Sequence, residues 1–516
     1  MSLEVLMDDQ VLRYAARRDE DLLEQFGYKQ ELSRGMSAFG NFAMSFMAIG
    51  LFWALGANMQ QGLGTAGAFG ITVTWLIGGG LAYATAASLG EISSAIPTAG
   101  GLYHWSSVLG GRGWGWATAW INLISYVFSV GGTAVAFYLL FNQLILNGML
   151  HIDTSHWGYA QQVLGVTLIV GGWAALNHFG VKTLAWCVMV GAYVTFAGAV
   201  ALVVVMLCNL HLANLAHLFS FTNNTGDAGG GVVPHTGNLL LSFGYALLLP
   251  MWIVTSYDAA AHVSEETVDA SRAVPRAMRN SVILSVVLGG VLLVLFYLAM
   301  NDPAAIAKKG GDGFALLFEQ VRAPRLLKDA IVLSLTVSAY ICGASALTGL
   351  SRAIYSFARD RGLPLVFSRV SARYATPVVG IWAGAFAGIA VTLYSSAFNA
   401  LVAGTALFYQ LAYGMAIGAA MFARNRHYGP YRLGVLSRPY GAVAIVGGIF
   451  IIWVGLQPPT DILIHYFIGF FVLMVLAWFG FERRRFPGPP VTSATLRAGG
   501  DAGQVHRVGE AMRESR

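Results

Sequence analysis

Stretches of roughly 20 residues almost free of Asp, Glu, Lys and Arg recur from end to end of this chain, and that recurrence restricts the possible folds more than any motif does. A helix rises about 1.5 Å per residue, so each stretch matches the hydrocarbon thickness of a bilayer, about 30 Å. They lie near 38–60, 66–90, 114–146, 158–178, 184–208, 238–262, 279–300, 329–351, 375–394, 400–423, 439–457 and 462–481. Between the ninth and tenth no charged residue occurs from Arg373 to Arg424, and Tyr394-Ser-Ser-Ala-Phe-Asn399 supplies the turn. The chain therefore reads as an all-α integral membrane protein of about twelve transmembrane helices. With 56% hydrophobic and 11% charged residues, it cannot coat a water-soluble globule of 516 residues.

The formal net charge of +6 raises the question of nucleic acid, but the basic residues sit in short clusters between apolar runs rather than along one face. They read as topology signals. With the N-terminus cytoplasmic, 26 of the 31 Lys and Arg fall on the inner side, and the other five (Lys308, Lys309, Arg322, Arg325, Lys328) share one outer loop. Both termini are expected to be cytoplasmic, and short loops suggest a bacterial inner membrane. Residues 1–37 form a charged N-terminal segment that does not read as a cleaved signal, and its stretch from Gln25 to Arg34 is expected along the inner membrane surface. Residues 38–481 form the membrane domain, and 482–516 a basic tail expected to be disordered. Cys187, Cys208 and Cys342 lack paired spacing and read as packing residues.

At membrane depth a helix can break only where it lines a cavity or is covered by protein, so broken helices point to sites. The first span carries Ser45-Phe-Met-Ala-Ile-Gly50-Leu-Phe-Trp53-Ala54, with Gly56 and Gly62 beyond, although glycine also serves close packing. The sixth reads Pro250-Met-Trp252-Ile-Val-Thr255-Ser256-Tyr257-Asp258-Ala-Ala-Ala-His262-Val-Ser-Glu265-Glu266. Pro250 removes a backbone donor, and three hydroxyls precede a carboxylate that is costly in lipid unless it faces water, a partner or a helix end. His262 follows Asp258 by one turn and could pair with it. Glu265 and Glu266 read as a solvated helix end facing the arginines that follow. The sixth span opens a second set of five helices in the opposite orientation, the arrangement of inverted-repeat transporters.

Gly90-Glu91-Ile-Ser-Ser-Ala-Ile-Pro97-Thr-Ala-Gly100-Gly101-Leu-Tyr103-His104-Trp105 closely resembles the second-helix signature of the amino acid-polyamine-organocation (APC) superfamily, and its ending resembles the amino acid/choline transporter branch. Phe26-Gly-Tyr-Lys-Gln-Glu-Leu32, Tyr257 to Thr267, and Ser351-Arg352 through Asp360 and Pro364 to Pro377 agree with that branch in the same order. The resemblance implies a LeuT-like fold of two inverted five-helix repeats plus two C-terminal helices, with substrate held where the first and sixth helices unwind. On this chain the substrate-binding residues would be Ile49, Gly50, Leu51, Trp53, Ala54, Thr255, Ser256, Tyr257 and Asp258, with Tyr257 as a gate. Two departures matter. Trp53-Ala54-Leu55 stands where relatives carry a Thr-Gly-Ile-like stretch, so Trp53 either stacks on an ammonium or packs. Residues 184–208 hold no carboxylate, lysine or histidine, so the fifth-helix lysine that couples protons in other branches has no counterpart. In the signature loop, Glu91 is expected to pair with an inner-loop arginine.

The expectation is a secondary transporter, or permease, moving a small amino acid or related amine of the 4-aminobutyrate, choline or polyamine class by alternating access, proton-coupled or by exchange. The alternative is a non-transporting sensor or a channel-like protein on the same fold. No Walker-type loop, nucleophile elbow or metal-ligand cluster occurs, so no enzyme activity, catalytic residue, metal, cofactor or nucleic-acid partner is expected. The partners would be the substrate, coupled protons and the lipid bilayer.

Overall fold

A computed structural model describes residues 15–394, 398–423 and 428–491. Among these, nine helices are long and apolar enough to cross a membrane, and Leu239–Ile253 and Val378–Leu393 are shorter apolar helices. In chain order the helices that matter begin with α1 (Ala38–Ile49), α2 (Leu51–Ile71), α3 (Val73–Ala95), α4 (Gly101–Gly110), α5 (Arg112–Leu140), α6 (Tyr159–His178) and α7 (Val181–Leu207). They continue with α8 (Leu239–Ile253), α9 (Ala259–His262), α10 (Ala270–Ala299), α11 (Pro303–Lys308), α12 (Gly313–Gln320) and α13 (Arg325–Arg359). The last four are α14 (Val378–Tyr394), α15 (Phe398–Phe422), α16 (Ser437–Gly455) and α17 (Ile462–Ala477). Among the described residues, the one strand-like pairing joins Met36 to Thr267.

Burial sorts these helices into centre and rim. The apolar stretches of the α1–α2 pair and of α15 are 83% buried, whereas that of Ile462–Arg485 is 11% buried and presents its side chains outward. Lipid-facing helices can stay apolar all round, because the solvent they meet is itself apolar. α2 packs on α8, and α1 packs on α10, so the first span is shared between two halves of the sixth and seventh segments.

Each expected segment meets a helix, but helix ends differ from the apolar windows. α10 begins at Ala270 and α13 runs to Arg359, so the arginines expected in inner loops at 272–279 and 352–359 lie on helices. A hydropathy window stops where a helix leaves the apolar layer or turns polar, which is not where the hydrogen-bonded helix stops. Between the first two spans the turn lies at Ala66 (φ −129°) and Gly67 (φ 62°). Of the turn expected at Tyr394 to Asn399, residues 395–397 lie outside the described residues.

The N-terminal segment packs one side on the protein. Within residues 25–34, Phe26, Tyr28 and Leu32 are buried while Gln25, Gly27, Lys29 and Glu31 are exposed, and the Gln30 amide donates to the Glu265 carbonyl. The peptide nitrogens of Gly35 and Met36 both donate to the Glu266 carbonyl, and Val268 N–H donates to Met36, so backbone groups that lipid could not have satisfied are paired here. Of the tail expected from 482, residues 482–491 are described, and Phe486 is fully buried beside Tyr103 and Phe357; the rest lies outside the described residues.

Candidate functional site

Both interruptions are present and they face each other. In the first span Gly50 adopts φ 64°, ψ 29°, the left-handed conformation that costs a residue with a Cβ about 1–2 kcal/mol. A methyl there would also run into the Trp53 indole nitrogen and the Cys342 sulfur. The Cys342 thiol donates to the Ala48 carbonyl at 3.4 Å, satisfying an acceptor at the end of α1.

In the sixth segment α8 ends at Ile253, four residues without helical pairing follow Val254, and α9 starts at Ala259. Ser256 takes φ 61°, rare for a residue that is not glycine, and its neighbours hold it there. Its N–H donates to the Tyr413 hydroxyl at 3.2 Å and its own hydroxyl to that of Tyr409 at 2.9 Å. Carbonyls released by the break are taken up by α1: Ser45 donates to the Tyr257 carbonyl at 3.0 Å and Asn41 to that of Ala260 at 2.9 Å. Asp258 is fully buried and accepts from Tyr413 (2.7 Å) and Tyr126 (3.0 Å), while His262 Nε2 stands 3.5 Å away. The expected pairing of Asp258 with His262 is thus present.

All nine sequence-predicted residues are buried, but they do not all share one surface. Trp53 meets Trp252 edge-on at 5.9 Å, and Tyr257 lies 5.2 Å from Tyr413. Leu51 instead packs toward Gly289 of α10, away from the break. Sequence reasoning missed Cys342, Tyr126, Tyr409 and Tyr413, which come from α13, α5 and α15. Tyr409 and Tyr413, four apart on an otherwise apolar helix, were the available signal.

Beyond the breaks the two ends of the bundle differ. On one side a cavity of about 1330 Å³ is lined by residues including Gly56, Ala57, Phe314, Asn142, Asp312 and Lys328. Gly56 is under two turns beyond Gly50, so the cavity floor lies about 10 Å from the break. On the other side the end is closed. Arg352 and Glu266 form a doubly hydrogen-bonded, fully buried pair (3.0 and 3.2 Å), and Arg359 grips Glu265 through two bonds (3.0 and 3.1 Å). The Arg359 guanidinium also lies 3.8 Å over the Tyr28 ring. Tyr28 and Tyr103 both donate to Asp360 at 2.7 Å. Burial raises the Asp360 carboxyl above its usual range, opposed by Arg359 and the two donors. Burial, reinforced by Arg359, pushes the nearby His104 imidazole down to about 3.

These contacts correct the reading of Glu265 and Glu266 as a solvated helix end. They are buried, and their partners are arginines about 90 residues on, not those that follow directly. Glu91 accepts from the Leu433 N–H (2.8 Å) and the Ser437 hydroxyl (2.6 Å). Among the described residues no group of three or more His, Cys, Asp or Glu could hold a metal ion.

The amino acid permease family model matches residues 39–481, covering both interruptions and the closed end. The chain belongs to the amino acid permease family. It is 29% identical over 457 residues to the amino-acid permease BAT1 of Arabidopsis thaliana, spanning 84% of this permease and 86% of the plant protein. It is 27% identical to the rice homologue of that protein, over 90% and 94% of the two chains. It is 26% identical to the GABA-specific permease of Saccharomyces cerevisiae, over 71% and 64%. The permease is thus a multi-pass membrane protein of the APC superfamily, a transporter by family rather than an enzyme, and amino acids are its family's substrates.

Proposed function

We propose that this permease is a secondary transporter that carries a small amino acid or related amine, of the 4-aminobutyrate, choline or polyamine class, by alternating access. The observation that carries the reading is the facing pair of interruptions at Gly50 and Val254–Asp258, set between a wide cavity and an end closed by buried ion pairs. The residues named from the sequence are proposed as the site, Leu51 excepted because it packs on Gly289. The first turn of α2 presents N–H groups to a carboxylate, and Asp258 with the aromatic rings suits an ammonium. Tyr257 would gate the ligand.

The arrangement is that of a carrier open to one side and shut on the other. Transport requires the Arg359–Glu265 and Arg352–Glu266 pairs to part while the opposite cavity collapses. The distribution of basic residues supports placing the closed end, the segment 1–37 and the tail from 482 in the cytoplasm, with 38–481 as the transport domain. The short connections support a bacterial inner membrane, although the relatives named come from plants and yeast. Proton coupling or exchange would drive uptake.

The deciding experiment is a counterflow screen over labelled amino acids and amines with purified protein in liposomes, with and without a proton gradient. Saturable exchange of at least one compound is expected. Binding without flux would instead identify a sensor, and current that does not saturate would identify a channel; either result overturns the proposal.

A further inference from the structure

His262 stands beside a buried carboxylate, Asp258, that no neighbouring cation among the described residues balances. Nδ1 lies 3.0 Å from the Ala99 carbonyl oxygen, an atom that can only accept, so Nδ1 carries a hydrogen. In a neutral ring Nε2 is then a bare lone pair. It accepts from the Asn122 Nδ2 amide at 3.3 Å and stands 3.5 Å from Asp258 Oδ2. A lone pair opposite an ionised carboxylate is repulsive, and one proton between them turns that contact into a charge-assisted attraction. Asn122 is able to follow a proton onto that nitrogen: its Oδ1 is buried with no hydrogen-bond partner. A half-turn of that amide, exchanging two atoms of nearly equal size, would let the orphaned oxygen accept from a protonated Nε2.

We infer that Asp258 and His262 together hold the proton that accompanies substrate, with Nε2 as the atom that takes it; this rests on the transport reading above. The surroundings leave this pair as the unbalanced charge. Glu265 and Glu266 are matched by Arg359 and Arg352 of α13, on which Tyr355 donates to Glu31 and Cys342 to a carbonyl. From α5 the pair faces Tyr126, and from α15 Tyr409 and Tyr413. α1 offers no titratable side chain, and α10 begins with Arg272 beside Asp269, then Arg276 and Arg279. Without the proton the pair carries one uncompensated negative charge in the protein interior; with it the pair is neutral overall. A proton from water in the large cavity adds to the Nε2 lone pair, and the same bond releases it to water once the closed end opens. No other bond changes.

The route from this proton to the closed end is one residue long. Ala99 accepts from His262 through its carbonyl and donates through its N–H to Glu265 Oε1 at 3.0 Å, the carboxylate that Arg359 holds. Gly101, with φ 49°, leaves room for the ring, since a methyl there would come within 3.0 Å of it. Gly101 of the signature loop is therefore seated on the His262 imidazole.

The test uses full-length protein in liposomes filled with a pH dye, with radiolabelled 4-aminobutyrate and the other compounds of the counterflow screen as probes. A one-unit inward pH gradient can hold about a tenfold concentration difference when one proton enters with each solute. Wild-type protein should reach that ratio and acidify the lumen. In H262Q, and in H262N as a second variant, the ratio should fall to about one relative to each variant's own counterflow, and the dependence on pH should flatten. Acidification by both variants overturns the inference. Wild-type counterflow without acidification also overturns it and leaves the transport reading intact, whereas absence of wild-type counterflow removes both.

Discussion

Replacing Arg359 by alanine removes one partner of a buried pair and leaves the other in place. Glu265 would lose two hydrogen bonds of 3.0 and 3.1 Å and keep the Ala99 N–H as a donor, while Tyr28 would lose the guanidinium lying 3.8 Å over its ring. Leaving one buried charge without its partner costs about 3–5 kcal/mol. That cost falls on the closed arrangement alone, because opening this end admits water to the carboxylate. The equilibrium should shift toward the open form by about two to three and a half orders of magnitude. Cys342 is a built-in reporter, buried at the Gly50 break. In a background lacking Cys187 and Cys208, a membrane-impermeant maleimide applied from the closed side should label Cys342 about a hundredfold faster in R359A than in the parent. Adding E265Q removes the stranded charge and should recover much of the difference. Labelling at the parent rate in R359A, or no recovery in the double variant, would refute the assignment of this pair as the lock.

Three further outcomes are expected. G50A should lose most uptake while still inserting, since its left-handed conformation costs about 1–2 kcal/mol before the collision with Trp53 and Cys342 is counted; uptake in proteoliposomes measures it. Y257A should weaken uptake strongly at unchanged expression, and normal uptake would count against the site. His104, lowered from its ordinary 6.5 to about 3 by burial, is neutral in the folded chain, so its contribution is complete above pH 6.5 and drains as pH falls toward 3. One unit below 6.5 the loss is about 1.4 kcal/mol, and the drop in apparent Tm between pH 7.5 and 5.5 should be smaller in H104N.

Much of this architecture was legible because bilayer spans are local in sequence. Gly50 and the run from Pro250 to Asp258 announced the breaks through residue chemistry alone, glycine for a left-handed turn and proline followed by hydroxyls for a helix that must stop. The partners of those breaks were not legible. Tyr126, Tyr409, Tyr413 and Cys342 reach the site from helices far along the chain, and no local period states which helices become neighbours. The misreading of Glu265 and Glu266 has the same origin: nearby arginines were visible, whereas the actual partners lie 86 and 94 positions away. The burial of Phe26, Tyr28 and Leu32 was hidden because mixed charge conceals which side chains are covered by protein and which by water.

The main-chain hydrogen bonds that join Gly35 and Met36 to Glu266 and Val268 splice the start of the first helix to the stub of the sixth. In the alternating-access cycle proposed above the two must travel together, like two oars lashed to a single handle. Because the lashing is made of main chain, substitutions along it can accumulate without uncoupling the stroke, and only a proline placed on a donating nitrogen would cut the cord.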